Sequence, residues 1–307
     1  MSHVTFQAMG TQVEIVIPQG LSASANVGHA VQRARNTVGQ LEALLSRFRP
    51  DSDVSRVNSA PGRWVPVHPA TVEVLRLARQ SFEHTKGLFN PCLGHVLENI
   101  GYDVSFHRIA DQPVVRVTDD ASPFVAPLVC PFEIDAVKAE VLLYPGYKID
   151  LGGIAKGWIV QQAALILRQQ GISQFLFNAG GDMICCGTNG HRPWCVAIAD
   201  PYGSHGSHVI TLDVSDVAVA TSGTYRRRWT QDGKTVHHIL DPFLGVPVES
   251  DVVSCTVIHQ DLVQAEVMAK VGLLLGSERG RRWLADESLA GWVLVLNTGE
   301  VIHAWNS

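Results

Sequence analysis

The stretch 150–158 reads D-L-G-G-I-A-K-G-W, and its residue types are those that can hold a phosphate. Apolar runs at 141–144 and 147–149 precede it and predict strand. Apolar periodicity over 154–167 predicts a helix after it. In a strand–turn–helix of this kind, Gly152 and Gly153 let the backbone come close to an anion. The N–H groups at the helix start point at it, and Lys156 adds positive charge. A lysine beside a helix N-terminus opposes the helix dipole unless an anion is near. The same residues also read as an ordinary turn carrying a solvated lysine.

Four other segments share this polar, glycine-marked character. Gly180-Gly181-Asp182 sets a carboxylate after a flexible pair, and Thr221-Ser222-Gly223 offers two hydroxyls at a permissive turn. The run H-H-I-L-D-P, His237 to Pro242, puts imidazole and carboxylate close together, with a proline stop. Met9-Gly10-Thr11 interrupts an alternating strand pattern over 4–17. Each segment alone is more often a structural turn, but clefts are commonly built from several of them at strand ends.

The elements that must position these residues follow from periodicity and breakers. Helices are predicted over 25–45, 69–86 and 262–275, the last stopped by Gly276. Strands are predicted over 174–178, 194–199, 209–212, 218–220 and 252–258, and a hairpin over 292–296 and 301–305 flanks N-T-G-E. Residues 47–61 and 87–94 read as loop and turn, and 100–129 as an irregular excursion. Strands and helices mix without strict βαβ alternation, so the class expected is α+β.

Composition narrows the function classes. With 307 residues, 46% hydrophobic and 17% charged, the chain can bury a sizeable core. A formal net charge of −5 and a pI near 6.2 argue against nucleic acid as the main partner. No apolar run is long enough for a membrane span, and the first residues show no signal-peptide pattern. Six cysteines lack C-x-x-C or metal-finger spacing and sit mostly in apolar runs, which predicts reduced thiols and a cytoplasmic protein.

Taken in order, the segments resemble the ApbE family of FAD:protein FMN transferases over nearly the whole chain. M-G-T stands near the start, followed by L-S-R-F-R-P-D-S-D-V-S-R-V-N, F-N-P-C-L-G, I-D-L-G-G-I-A-K-G-W, N-A-G-G-D, A-T-S-G-T-Y, H-H-I-L-D-P-x-x-G-x-P and A-E-V-M-A-K. The resemblance implies one domain over 1–307, made of two intimately joined lobes with mixed sheets, flanking helices and FAD between the lobes. It implies that FMN passes from FAD to a threonine or serine hydroxyl of an acceptor protein and that AMP leaves. It implies Lys156, His238 and Asp241 as catalytic residues, with His238 as the base that takes the acceptor proton, His237 as the alternative base, and Asp241 orienting the imidazole. It further implies flavin or phosphate contacts from Met9, Gly10, Thr11, Gly152, Gly153, Gly180, Gly181, Asp182, Thr221, Ser222, Gly223 and His238.

The sequence departs from that family at charged positions. The resemblance implies a Mg²⁺ site using a backbone carbonyl, here at Gly153, and an Asp and a Thr four residues apart on the late helix. This chain has Glu266 and Lys270 there, on one helix face. Glu266 remains an oxygen ligand, whereas a charged Lys270 cannot coordinate Mg²⁺ and could instead occupy the place of the ion. Asn90, Cys92, Gln161 and Thr224 also stand where other types are usual in the family. Two readings follow: a working FMN transferase with altered metal handling, or an FAD-binding relative that no longer transfers FMN.

Overall fold

Alternating Val, Ile and Thr residues over the first strands, and the β-branched run 252–258, build the largest element of the fold, an eight-stranded antiparallel sheet. The computed structural model describes residues 2–18, 25–104, 124–204, 206–231 and 234–305. Most of the predicted excursion at 100–129 lies outside them. The chain divides into two compact units. The first comprises 1–40, 156–223 and 250–307, and the second 41–155 and 224–249.

The strands are β1 Ser2–Ala8, β2 Thr11–Ile17, β3 Trp64–Pro66, β4 Phe132–Asp135, β5 Glu140–Leu143, β6 Phe175–Ala179, β7 Asp182–Cys186, β8 Trp194–Ala199, β9 His208–Val214, β10 Val217–Gly223, β11 Arg228–Gln231, β12 Lys234–His237, β13 Val252–His259, β14 Gly291–Leu296 and β15 Val301–Trp305. The helices are α1 Ala25–Leu45, α2 Asp53–Asn58, α3 Pro69–His84, α4 Gly94–Asn99, α5 Ala155–Gln169 and α6 Leu262–Asp286.

In the first unit the sheet order is β1-β2-β6-β7-β10-β13-β14-β15. The β8–β9 ribbon packs its inward residues Trp194, Val196, Ile198, Leu212 and Val214 on Cys185, Val219 and Ile258 of the sheet. Helix α6 packs on β10 and β13. Val13, Ile15, Ile17, Phe175 and Phe177 are fully buried, as alternation in β2 and β6 requires. In the second unit β3, β5 and β4 form a small antiparallel sheet. A separate core gathers Val96, Leu97, Tyr102, Trp229 and Leu240.

The mixed α+β architecture and most elements match the sequence-based expectation. Strands β3, β4, β7, β11 and β12 and the short helix α4 were not anticipated, and three further details differ. Residues 47–61 hold a helix, α2, which Ser52 caps by accepting a hydrogen bond from the Ser55 N–H at 3.0 Å. Residues 147–149 are not a strand, since only Lys148 makes a bridge, to Leu93. Helix α6 does break at Gly276 (φ 75°), but a second helical segment follows and folds back, so that Gly280 meets Gly272.

Five cysteines are buried and Cys195 is exposed. Burial pushes the Cys185 thiol up to about 12 and also raises Cys92 and Cys255. A thiol reagent at neutral pH should therefore label one site rapidly in the native protein, and Cys195→Ser should abolish that fast phase. Rapid labelling that survives in Cys195→Ser would refute the burial pattern.

Candidate functional site

Register alone brings most of the singled-out segments of the first unit to one end of the large sheet. Met9 and Gly10, both with positive φ, form the two-residue turn between β1 and β2. Val13 of β2 pairs with Ala179 of β6, so the Gly180-Gly181 turn lies beside Thr11 and Gln12. A Cβ on Gly180 would sit 2.3 Å from Thr11 Oγ1, and Gly180 has φ 67°, so only glycine fits this approach. Asp182 follows directly. The β7–β10 register then sets Thr221 near it, and the Thr221 N–H donates to Asp182 Oδ1 at 3.2 Å. Thr221 Oγ1 also meets Thr256 Oγ1 of β13 at 2.9 Å. Ser222 and Gly223 complete the end of β10, opposite Cys255 and Ser254. The buried Ser254 Oγ has no hydrogen-bond partner among the described residues.

Lys156, in the first turn of α5, reaches this end. Its Nζ donates to Asp182 Oδ2 and to Glu266 Oε1, the latter at 2.8 Å. Glu266 Oε2 accepts the Gly157 N–H at 2.8 Å. Asp182 and Glu266 are 2% and 4% exposed, so the ammonium sits between two desolvated carboxylates. This resolves the awkward placement of a lysine at a helix start. Glu266 satisfies an orphan N–H of the first turn and places negative charge where the helix dipole favours it. Burial pushes the Glu266 carboxyl above its ordinary value; Lys156 opposes that shift and the Asp182 carboxylate adds to it. Gly157 is required here, because a Cβ would lie 3.0 Å from both Glu266 Oε2 and Leu262 O.

The late helix is anchored by its neighbours. Asp261 caps it by accepting the Gln264 N–H at 3.0 Å, and Gln161 bonds both Asp261 Oδ2 and the Leu262 N–H. Gln161 thus has a structural task. Lys270 stands one turn beyond Glu266 and is half-buried. The cation seated directly on Glu266 is Lys156.

The donor set is a poor match for Mg²⁺. Glu266, the one carboxylate of the expected set, already accepts a hydrogen bond at each oxygen, the Lys156 ammonium on it also bonds Asp182, and the side chain one turn on is the positively charged Lys270. A hard divalent ion needs several free oxygens around one centre. Among the described residues, no group of three or more His, Cys, Asp or Glu side chains is arranged to hold a metal.

The other singled-out residues lie in the second unit. Gly152 is exposed and donates its N–H to Asp150 Oδ1 at 3.0 Å; Gly153 is buried. Asp150 Oδ2 takes Arg47 Nε at 2.5 Å. Asn58 grips both backbone groups of Ile149, at 2.7 and 2.9 Å. The glycine loop is therefore held from one side by residues that the sequence analysis left without a role. Arg47 also donates to Tyr102 O at 2.5 Å and lies over the Phe48 and Tyr102 rings. Tyr102 stacks on Trp229 at 5.6 Å and meets the His238 ring edge-on at 6.3 Å. Tyr102 fell in the least regular part of the sequence, and only its aromatic type offered a signal. Asp241 Oδ1 accepts the Phe243 and Leu244 N–H groups at 2.8 and 3.0 Å, so this oxygen fixes the turn after His238.

This antiparallel framework, with its polar turns at one sheet end, belongs to a known class of flavin-handling folds. The crystal structure of the ApbE protein from Thermotoga maritima superposes with a TM-score of 0.83 at 26% identity, covering 99% of this chain and 96% of that one. The flavin transferase ApbE from Vibrio cholerae gives 0.81 at 25%, covering 100% and 97%. A profile of the ApbE family matches residues 9–293, and the chain belongs to that family. An FAD:protein FMN transferase of Klebsiella pneumoniae (strain 342) is 30% identical over 88% of this chain and 83% of the relative. One from Escherichia coli (strain K12) is 27% identical over 98% and 86%.

Two predictions follow from this geometry. Gly157→Ala should cost about 1–3 kcal/mol in a denaturant titration, because its methyl group must push backbone or a buried carboxylate aside. An unchanged midpoint would refute the close approach. Burial, with Arg228 nearby, holds the His237 imidazole below its ordinary value, and His237 Nδ1 has no hydrogen-bond partner among the described residues. A lowered folded-state value means that the stability His237 contributes is complete above about pH 6.5 and is lost as pH falls through the folded value. The melting temperature of the native protein should drop more steeply on acidification below that point than that of His237→Gln. Parallel curves would rule this out.

Proposed function

We propose that the protein transfers FMN from FAD to a threonine or serine hydroxyl of an acceptor protein and releases AMP. The observation that carries this reading is the convergence of Met9–Thr11, Gly180–Asp182, Thr221 and Lys156 at one sheet end, in a chain whose relatives are named as FAD:protein FMN transferases. In the first unit the glycine turns and the Thr221 and Ser222 hydroxyls contact the nucleotide, with Met9 against the flavin ring. Asp182 holds Lys156 and orders the start of β7. In the second unit, Gly152 and Gly153 let the backbone approach the pyrophosphate.

The chemistry needs a proton acceptor. The acceptor hydroxyl oxygen forms a bond to the FMN phosphorus, the bond from that phosphorus to the AMP oxygen breaks, and the hydroxyl proton passes to an imidazole. His238 fits that task better than His237, since Tyr102 packs against its ring edge-on and fixes its orientation. The Asp241 carboxylate fixes the turn that follows and so acts through the backbone. The six free thiols, mostly buried, support a reducing compartment such as the cytoplasm. Among the described residues no helix is long and apolar enough to cross a membrane.

A second reading keeps FAD binding without transfer. It is favoured by the engagement of Lys156 with two carboxylates, which reduces the charge it can offer to a pyrophosphate. Both readings require that FAD binds, so purified protein should quench flavin fluorescence on titration. With FAD and a candidate acceptor, covalent flavin on the acceptor and released AMP should appear together. His238→Ala should lower that rate by about 10²–10⁴ with little change in FAD affinity, and His237→Ala should be mild. The reverse order would move the base to His237. FAD binding without AMP release from any acceptor would leave the second reading standing.

A further inference from the structure

Deepening the flavin reading, we propose that Lys156 is the resident cation of this site and that the protein handles its nucleotide without a divalent metal ion. Three observations carry this. The Lys156 ammonium bridges Asp182 Oδ2 and Glu266 Oε1, and Glu266 is the one carboxylate of the expected metal site. Their remaining oxygens accept the Thr221 and Gly157 N–H groups, so each carboxylate is already oriented by the fold. Both are almost completely removed from solvent, so an ion could bind only by displacing the ammonium or by sharing a desolvated space with it. Mutual repulsion of the two cations opposes sharing.

Charge balance points the same way. Lys270 lies four residues after Glu266 on the same helix, which places the two on one face. A second lysine charge thus lies on the helix face that carries Glu266. The Glu266 carboxylate reaches both the Lys156 ammonium and the Gly157 N–H. An ammonium on a tethered chain offers no open coordination positions to substrate. Its contribution is therefore to neutralise and position Asp182 and Glu266, and through them β7 and the start of α5. Lys156 is in this sense a positioning residue.

The test uses full-chain protein, with Mn²⁺ followed by its electron paramagnetic resonance signal. Native protein should leave the free Mn²⁺ signal at its buffer amplitude. FAD affinity measured by fluorescence quenching should agree within about twofold between EDTA and millimolar MgCl₂. Lys156→Met leaves two buried carboxylates without their cation, so Mn²⁺ should raise the melting temperature of this variant but not that of the native protein. If Lys156→Met does not fold, the native protein decides the matter: its melting temperature should be the same in EDTA and in millimolar MnCl₂. Stoichiometric Mn²⁺ binding by native protein that is lost in Glu266→Gln would overturn the proposal. So would a fall in native FAD affinity of more than about tenfold on adding EDTA. If FAD binds in neither buffer, the flavin reading fails, and the Mn²⁺ signal and melting curves still decide the cation question.

Discussion

A lysine ammonium enclosed by two desolvated carboxylates is the constraint on which the first unit turns. It ties the first turn of α5 to the start of β7 and to the face of α6, three pieces of chain that are far apart in sequence. Removing one member of such a group leaves a buried charge uncompensated, which typically costs about 3–5 kcal/mol. The geometry around it is correspondingly strict. Gly157 must lack a side chain for Glu266 to reach the helix, and Gln161 and Asp261 hold the beginning of α6 so that Glu266 arrives at the right height.

The sheet supplies the rest by register. Once β2 pairs with β6, β6 with β7 and β7 with β10, the turns at Met9-Gly10 and Gly180-Gly181 and the end of β10 fall at one edge of the layer without any further device. The second unit uses side chains to the same end. Arg47 and Asn58 fasten the loop at 149–152, and the Tyr102–Trp229 stack sets a wall beside His238. A scaffold that fixes short polar turns in this way suits a reaction in which placement and charge do most of the work.

Much of this was legible in the sequence, for identifiable reasons. Helix α1 carries apolar residues at helical spacing along its whole length, and its predicted limits coincide with the observed ones. The strands of the large sheet alternate or run apolar, so their existence was plain. Helix α2 was hidden because Asp, Ser and Asn dominate it, and these types favour turns until a cap and a buried partner decide otherwise. The individual turns of the site could be named from glycine and hydroxyl content, but their convergence is a property of strand register, which no local pattern encodes. The partner of Lys156 was equally out of reach. Glu266 was singled out as an oxygen donor, yet that its carboxylate meets a lysine 110 positions earlier is settled only by the packing of α6 on the sheet.

The chain path has a consequence for biosynthesis. The β1–β2 hairpin is the first part of the sheet to be made, but the residue that pairs with Val13 is Ala179, and much of the second unit lies between them in sequence. A nascent chain therefore carries β2 with an open edge of unpaired amides until β6 emerges. High contact order of this kind slows folding and favours intermolecular pairing while the edge is bare. The second unit, whose first segment is complete by Ala155, can begin its own collapse during that interval. Expression at reduced translation rate or in the presence of a holdase chaperone would act on this window, with the native state left unaltered.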